Sequence, residues 1–354
     1  MGLLTIGSFA EAANLTPKAL RLYDRLGLLP PAAVDPESGY RFYEPDQLEQ
    51  ARLIARLRRI GMPLAEIRQV CALDPPAAAD AIRGYWQQVT TDNAARASLA
   101  ALLVEHLSGR GTMSDTHPTI ALHYAAGCDI GAVRTSNQDT AYASDRLLAV
   151  ADGGGEGGDT AGHNAIGALK PLELTSTPAA ELLTALAGAV TQADQAVRAT
   201  ATGDRRPITT LTALLRSGSQ LALVHVGDSR AYLLRGGELV QLTTDHTWVQ
   251  AQVDQGRLTS DEAAAHPDRA LLVRALGAGG TPIEADLGLR TALPGDRYLL
   301  CTDGLSAVVD KKVLHSTLGA ADDPEHAVQN LMRLVDEAGA PDNVACVVAD
   351  VVTA

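Results

Sequence analysis

The sequence predicts a multidomain chain, in which an all-α part is followed by an α+β sandwich of four layers, αββα. Its 354 residues exceed one typical domain. Apolar residues recur with helical period up to about residue 107, whereas the later apolar runs have the length of strands. The charge divides at the same place: residues 1–110 hold 12 basic and 12 acidic side chains, and residues 111–354 hold 17 and 30.

The composition excludes several classes of protein. The acidity of the second part argues against nucleic-acid binding by that part. The four cysteines show no paired spacing, which favours free thiols over a disulfide scaffold. No apolar run reaches transmembrane length, and no signal peptide begins the chain. We therefore expect a soluble cytoplasmic protein with no membrane partner.

The first 75 residues read as four short helices. Thr16 caps a helix that has Pro17 at its first position, and Gly27 ends that helix. Residues 30–43 hold three prolines and a glycine, so we expect a loop or small hairpin there. Two further helices follow, one from Pro45 to Gly61 and one from Pro63. The first two helices, joined by a short turn, suggest a helix-turn-helix.

The full pattern resembles the winged DNA-binding domain of the MerR family. The stretches that carry the resemblance are Leu4-Thr5-Ile6-Gly7, Leu20-Arg21-Leu22-Tyr23-Asp24, Gly27-Leu28-Leu29-Pro30 and Gly39-Tyr40-Arg41-Phe42-Tyr43. The resemblance implies a dimer that binds double-stranded promoter DNA through residues 1–75. The contacts it implies come from the recognition helix and the wing: Arg21, Tyr23, Arg41 and Tyr43. Thr16 and Lys18, at the start of the recognition helix, are expected to contact phosphates.

Two alternatives stay open for this domain. Its charge is neutral where a DNA-binding domain is usually basic, so a helical interaction module without DNA binding fits as well. Tyr23 and Tyr43 fit packing roles equally well, because a tyrosine beside a turn is more often structural than a base reader.

Residues 76–108 form one long helical pattern. Its apolar stripe includes Tyr85, Trp86, Leu99, Leu103 and Leu107. A helix of this length spans about 45 Å, too long to bury its stripe on the small domain before it. We therefore expect a homodimer through residues 76–108, as the resemblance to the MerR family also implies. Residues 109–118 read as a flexible linker.

Residues 119–354 alternate short strands with a few helices. Apolar runs of strand length lie at 120–124, 147–151, 211–215, 221–226, 298–301 and 344–351, and residues 231–242 form a hairpin around a glycine turn. Helical patterns cover 179–199 and 326–338. Two sheets covered by helices account for this arrangement.

Four short acidic stretches point to the chemistry of this domain. They are Val150-Ala151-Asp152-Gly153, His225-Val226-Gly227-Asp228-Ser229-Arg230, Cys301-Thr302-Asp303-Gly304 and Pro341-Asp342-Asn343. Each places an aspartate at the end of an apolar run beside a turn-forming residue. Carboxylates at strand ends are suited to hard cations, since Mg²⁺ and Mn²⁺ prefer oxygen ligands.

The order of these stretches resembles the type 2C metal-dependent protein serine/threonine phosphatases. Further matching stretches are Gly131–Arg134 to Asn137–Asp139, Thr209–Thr212, Leu242–His246 and Arg274–Gly277. The resemblance covers residues 119–353. It implies two Mn²⁺ or Mg²⁺ ions, with a site for a third, and a water activated between the ions.

The resemblance also assigns roles to residues. Asp152 and the Gly153 carbonyl, with Asp303 and Asp342, would hold the two ions, and Asp228 the third. Arg134 would grip the substrate phosphate. Asp139 and the neighbouring Gln138 would support the ligands. Gln138 stands where relatives have a glutamate, and the loop after Gly153 is unusually rich in glycine. Both differences bear on the rate more than on the reaction.

Together these features predict a phosphatase that hydrolyses phosphoserine and phosphothreonine on proteins, joined to a DNA-binding domain and acting in transcriptional regulation. The catalytic residues would be Arg134, Asp152 and Asp303. The alternative is a weak or inactive phosphatase-like sensor that controls a MerR-type transcription factor. Residues 244–276 correspond to the mobile flap of the family and would influence substrate choice.

Overall fold

The computed structural model describes residues 2–107, 120–175, 177–202, 206–279 and 283–354. Within its helices, only the backbone is described at residues 91–92, 94–107 and 179–180. The linker predicted at 109–118 lies outside the described residues.

The first elements are short helices with a small sheet. In chain order they are β1 Leu4–Thr5, α1 Ile6–Ala13, α2 Pro17–Arg25, β2 Ala33–Val34, β3 Arg41–Tyr43, α3 Gln47–Arg59, α4 Leu64–Ala72 and α5 Pro75–Leu107. The three strands pair antiparallel in the order β1-β3-β2. The hairpin and the long helix that the sequence predicted are therefore present.

The ends of α2 follow from its sequence. Thr16 Oγ1 accepts a hydrogen bond of 3.1 Å from the Ala19 N–H, which satisfies a donor that the first turn leaves free. At the other end Gly27 has a φ of +64°, and the Leu28 N–H reaches back to the Tyr23 carbonyl at 2.8 Å. A left-handed residue of this kind is the common way to end a helix.

The remaining elements build the sandwich. They are β4 Ile120–Asp129, β5 Asp139–Ala143, β6 Leu147–Gly154, α6 Gly158–Leu169, α7 Pro171–Leu174, α8 Ala179–Ala199, β7 Ile208–Thr209, β8 Leu211–Ser217, β9 Gln220–Val226, β10 Arg230–Arg235, β11 Glu238–Gln241, α9 Trp248–Asp254, α10 Ser260–Ala264, β12 Asp286–Thr291, β13 Arg297–Cys301, α11 Asp303–Ser306, α12 Lys311–Ala320, α13 Pro324–Glu337 and β14 Val344–Thr353.

Two antiparallel sheets stack between layers of helices, as predicted. One sheet has the order β11-β10-β13-β14-β4 and the other β12-β9-β8-β6-β5. Strand β6 shows how the core is divided. Leu148 and Val150 face the opposite sheet, whereas Leu147, Ala149 and Ala151 pack with α6 and α8. This alternation is the period of two expected of a strand buried on both faces.

The chain divides into two compact units. One contains Met1–Gln87 together with Trp248–Leu271, and the other contains Gln88–Thr247 and Leu272–Ala354. The first unit has its core around Phe9, Leu20, Tyr43 and Ile54. Among the described residues, no helix is long and apolar enough to cross a membrane.

Candidate metal centre and candidate nucleic-acid interface

Two of the predicted acidic residues lie on neighbouring strands. Asp139 begins β5 and Asp152 lies near the end of β6, and the antiparallel register places these residues directly opposite each other. Facing residues of an antiparallel pair have their Cβ atoms about 5 Å apart. The register therefore brings the two carboxyl groups to one edge of the sheet.

The other sheet brings Asp303 and Asp342 together in a similar way. Asp303 follows β13, Asp342 precedes β14, and these strands pair antiparallel. A Cβ atom on Gly304 would lie 1.9 Å from the Asn343 carbonyl oxygen. Glycine is required there, because any side chain would separate the two segments that carry the acids.

A second close approach supports the loop after Asp152. A Cβ atom on Gly153 would lie 2.0 Å from the carbonyl oxygen of Gly158, the first residue of α6. The absence of a side chain lets the helix start against the strand end. This contact fixes the backbone around Gly153, whose carbonyl the sequence resemblance assigns to a metal.

Threonines hold the acidic residues in position. Thr210 Oγ1 accepts the Asp152 N–H at 2.9 Å, and its hydroxyl lies 2.7 Å from that of Ser229, next to Asp228. Thr302 Oγ1 donates to an Asp139 carboxylate oxygen at 2.7 Å. These hydroxyl groups are hydrogen-bond partners of the acidic segments. No local sequence pattern indicated that Thr210 would bind the backbone of Asp152.

Burial and mutual repulsion act on most of the acids in this cluster. Burial, together with neighbouring carboxylates, raises the pKa of Asp139 to about 7 and that of Asp228 to about 7. Burial and the surrounding acids raise the pKa of Asp152 still more, and Asp152 shares a hydrogen bond with Asp303. Asp303 is raised as well, chiefly by burial. A divalent cation would remove this repulsion.

The donor set fits a hard divalent ion. The available atoms are carboxylate oxygens and the backbone carbonyl of Gly153, the ligands that Mg²⁺ and Mn²⁺ prefer. Within the part of the chain that the structure describes, no three carboxylate, imidazole or thiol groups converge as a finished ligand cage. Asp152 is hydrogen-bonded to Asp303, and Asp342 is paired with an arginine.

That arginine is Arg134. Its Nε and Nη2 each lie 2.7 Å from a carboxylate oxygen of Asp342, and 56% of its side chain is exposed. The hydrogen bond with Asp342, with help from Asp152 and Asp303, raises the pKa of the guanidinium. Arg134 therefore stands at the open side of the acidic cluster, with the fork geometry that suits a phosphate.

Gln138 has a structural role in this arrangement. Its side-chain Nε2 donates to the Gly155 carbonyl at 2.8 Å, and its backbone N–H donates to Asn343 Oδ1 at 2.9 Å. The Gln138 carbonyl in turn accepts the Gly153 N–H at 3.1 Å. Gln138 therefore ties the glycine-rich loop to the strand ends, and its action on a ligand stays a prediction.

His225 is a packing residue of β9. The ring is buried, with Nδ1 at 2.9 Å from Thr212 Oγ1 and Nε2 at 3.0 Å from the Thr244 carbonyl. Burial and the neighbouring His246 lower the pKa of His225 to about 4. Both nitrogens have partners, so His225 joins backbone segments and leaves no nitrogen for a metal.

The predicted DNA contacts divide into two groups. Thr16, Lys18 and Arg21 are exposed along α2. Arg41 is held by an ion pair of 2.7 Å between its Nε and Asp24. These four residues present a polar surface on which phosphate contacts are possible.

The two tyrosines do not belong to that surface. Tyr43 is 0% exposed and stacks on Phe9 with ring centroids 4.6 Å apart, and Tyr23 is 5% exposed. A fully buried ring cannot touch DNA, so the contacts expected of Tyr43 and Tyr23 are corrected to core packing. This is the alternative that the sequence left open.

The fold is that of an αββα protein with a cluster of carboxylates at one edge of the sandwich. Residues 132–348 match the family model of protein phosphatase 2C, and the chain belongs to that family. Residues 4–73 match the model of MerR HTH family regulatory proteins. Both resemblances predicted from the sequence are thereby confirmed.

Similar proteins come from mycobacteria. The serine/threonine protein phosphatase PstP of Mycobacterium tuberculosis is 46% identical over 241 residues, which are 66% of this chain and 46% of that protein. The chain thus spans about half the length of this relative. A crystal structure of Mycobacterium tuberculosis PstP/Ppp has a TM-score of 0.62 at 45% identity, covering 65% of this chain and 98% of that chain.

A second structure is that of the PstP catalytic domain in complex with two manganese ions. Its TM-score is 0.61 at 44% identity, and it covers 66% of this chain and 100% of that chain. The alignment thus takes in the whole of that catalytic domain and about two thirds of this chain.

Proposed function

We propose that the chain is a metal-dependent protein phosphatase that removes phosphate from phosphoserine and phosphothreonine on proteins. The observation that carries the proposal is the cluster of aspartates at one edge of the sandwich, in which burial and neighbouring carboxylates raise the pKa of Asp139, Asp152 and Asp228. The similarity to a PstP catalytic domain with two manganese ions supports it.

The proposed metal ligands are the residues named from the sequence. Asp152, the Gly153 carbonyl, Asp303 and Asp342 would hold two Mn²⁺ or Mg²⁺ ions, and Asp228 would contribute to a third. Such ions lower the pKa of bound water and neutralise charge on a phosphoryl group. Asp139 would support these ligands, since its carboxylate already accepts a hydrogen bond from Thr302.

Arg134 is the proposed phosphate-binding residue. Its guanidinium can donate two hydrogen bonds to a phosphate in the same two-point geometry in which it now binds Asp342. Transfer of Arg134 from Asp342 to the substrate would free that carboxylate for a cation. Binding of metal and of phosphoprotein would then support each other.

The test is manganese-dependent hydrolysis of a phosphothreonine peptide. We expect turnover by the wild-type protein with Mn²⁺, none after chelation, and a loss of at least a hundredfold in Asp303→Asn, because removal of one electrostatic contributor costs about 10²–10³ in rate. Asp336→Asn, an exposed residue of α13, is the matched control and should keep its activity. A folded wild-type protein without turnover would favour the phosphatase-like sensor instead.

We also propose that the first unit binds double-stranded DNA and that the protein acts in transcriptional regulation. The match of residues 4–73 to MerR regulators and the exposed Lys18 and Arg21 support this. A gel shift with DNA selected by the protein from a random pool tests it. Arg21→Ala should weaken binding by about 1–3 kcal/mol if the residue reads a base, whereas Arg83→Ala, exposed at the start of α5, should not.

A further inference from the structure

One segment of the chain groups in space with a different unit from the one that its neighbours in sequence belong to. Residues Trp248–Leu271, here called the inserted segment, lie between stretches of the phosphatase domain in sequence but group with Met1–Gln87 in space. The segment contains α9 and α10, which share a small apolar cluster of Val249, Val253 and Ala263. It is thus a packed structure of its own, held within the unit that carries the helix-turn-helix.

Helix α4 provides the contact surface for the inserted segment. Arg68 Nη2 lies 2.7 Å from Glu262 Oε2. Gly256 has a φ of +70°, and a Cβ atom there would lie 3.4 Å from Leu64 Cβ. Burial and the nearby Asp254 raise the pKa of Glu66. An ion pair and a close backbone approach therefore lie on one face of α4, at Arg68 and at Leu64 one helical turn before it.

Arg68 also touches the end of the recognition helix. Its Nη1 donates to the carbonyl of Leu26, the C-cap residue of α2, at 3.3 Å. One guanidinium therefore connects the end of α2 with Glu262. A shift of α2 on DNA would change the position of this guanidinium.

Glu262 is itself held in a fixed geometry. Its carboxylate accepts the Thr259 N–H at 2.7 Å and the Thr259 hydroxyl at 2.9 Å, which completes a capping box at the start of α10. Because Glu262 both caps α10 and pairs with Arg68, it links Arg68 directly to the first turn of α10.

The two ends of the inserted segment are hydrogen-bonded to each other at the point where the chain passes to the other unit. The Trp248 N–H donates to the Leu271 carbonyl at 2.8 Å, and Thr247 and Leu272 form the next antiparallel bridge. Residue His246 then exchanges hydrogen bonds with Gly227: its N–H donates to the Gly227 carbonyl at 2.7 Å, and its Nδ1 accepts the Gly227 N–H at 3.1 Å. Gly227 directly precedes Asp228.

We propose that the contact between Arg68 and Glu262 couples DNA binding to phosphatase turnover through the inserted segment. The coupling rests on the proposed function. DNA bound along α2 would change the position of Arg68, and the two-stranded stem of the segment would carry that change to the backbone beside Asp228. Because coupling between two sites is reciprocal, occupation of the phosphatase site would change DNA affinity by the same factor.

The experiment compares hydrolysis of the phosphothreonine peptide with and without a DNA duplex that the full-length protein has selected from a random pool. Glu262→Gln is the informative variant, because glutamine at this position still completes the capping box but loses the charge opposite Arg68. Asp80→Asn is the matched control, since it removes the exposed partner of Arg83 in the same unit. The DNA affinity of each protein is measured in parallel.

In the wild-type protein we expect saturating DNA to change the rate by about fivefold or more. In Glu262→Gln this DNA effect should shrink by about two- to fivefold, the amount that an exposed ion pair can carry, while the DNA-free rate and the DNA affinity stay near wild type. Asp80→Asn should respond to DNA as the wild type does. Arg68→Gln should show the same loss, with no further loss in the double variant.

The outcomes separate this inference from the proposed function. Absence of hydrolysis in every protein contradicts the phosphatase itself. Hydrolysis that ignores bound DNA, a DNA effect of equal size in Glu262→Gln and the wild type, or failure to select any duplex overturns the coupling and leaves the phosphatase intact.

Discussion

Gly304 is the residue at which the geometry of the acidic cluster depends most directly on side-chain size. Alanine there would place a Cβ atom 1.9 Å from the Asn343 carbonyl oxygen, and backbone cannot yield as a flexible side chain can. We expect Gly304→Ala to lower the free energy of unfolding by about 3 kcal/mol and to abolish hydrolysis by displacing Asp303.

The matched control is Gly167→Ala in α6, where a Cβ atom would meet nothing within 4 Å. Since alanine is the better helix former, this change should raise the unfolding free energy by up to about 1 kcal/mol. Chemical denaturation of both variants checks the pair. Equal stability of Gly304→Ala and the wild type would show that the two acidic segments are not in contact.

Asp228 makes the stability of the metal-free protein depend on pH. Its pKa rises from an ordinary 3.8 to about 7, chiefly through burial and also through Asp303 and Asp245, with Arg230 opposing. A folded-state pKa above the unfolded value means stability that is present at low pH and lost as pH rises through about 7.

We therefore expect Asp228→Asn to raise the unfolding free energy of the chelated protein by about 2–4 kcal/mol at pH 8, with little effect near pH 4. Thermal denaturation at both pH values, in the presence of chelator, measures this difference. A stability gain that is the same at pH 4 and pH 8 would rule out the titration of Asp228 as its cause.

Among the elements, β10 is joined to the segment after β11 by a largely buried ion pair. Arg230 binds Asp245 through Nε and Nη2 at 2.6–3.1 Å. Removing one partner leaves the other charge buried without compensation. We expect Asp245→Asn to cost about 3 kcal/mol of unfolding free energy.

The comparison is Glu337→Gln, which breaks an exposed pair with Arg333 on α13. Pairs of that kind contribute less than about 1 kcal/mol. Urea denaturation of the two variants distinguishes the cases. If both changes lower the free energy of unfolding by the same small amount, the charge of Arg230 does not need Asp245 for its compensation.

The sequence predicted some elements much better than others. Helix α2 was readable because Thr16 and Gly27 mark its ends, and β6, β9 and β14 because they are apolar runs buried in the sandwich. The strands β5 and β12, at the edges of their sheet, were not identified, since an exposed edge relaxes the apolar pattern.

Helix α6 was missed for a different reason. Its first residue, Gly158, belongs to a run of glycines that reads as a loop, whereas in the structure the start of the helix lies in close contact with Gly153. A contact between two backbone segments has no periodic pattern in sequence. The same holds for Thr210, which is essential to the position of Asp152 but looks like an ordinary strand residue.

At the scale of the whole molecule, the order of the acidic stretches sufficed to predict one site from residues spread over some two hundred positions. The placement of the inserted segment with the first unit could not be predicted in this way. It depends on individual contacts such as that of Arg68 with Glu262, and either residue alone reads as a solvated surface charge.

The long helix α5 carries the prediction of a dimer. The structure confirms a helix at Pro75–Leu107, and the sequence places Leu99 and Leu103 on its apolar stripe. We expect Leu99→Glu with Leu103→Glu to convert a dimer into a monomer in sedimentation, because charges in a helix seam oppose pairing. Asn93→Glu, at an exposed position, is the control. A wild-type monomer at micromolar concentration would contradict the prediction.

Calorimetric titration of Mn²⁺ into the chelated protein at pH 7 tests most directly whether the aspartate cluster is a centre for divalent cations. Because Asp152 and Asp139 have raised pKa values in the absence of metal, binding should release protons, which appear as a dependence of the heat on the buffer. We expect that proton release in the wild type, and affinity weakened by more than about tenfold in Asp152→Asn. Equal manganese binding by the two proteins, or binding without proton release, would show that the aspartate cluster is not the cation site.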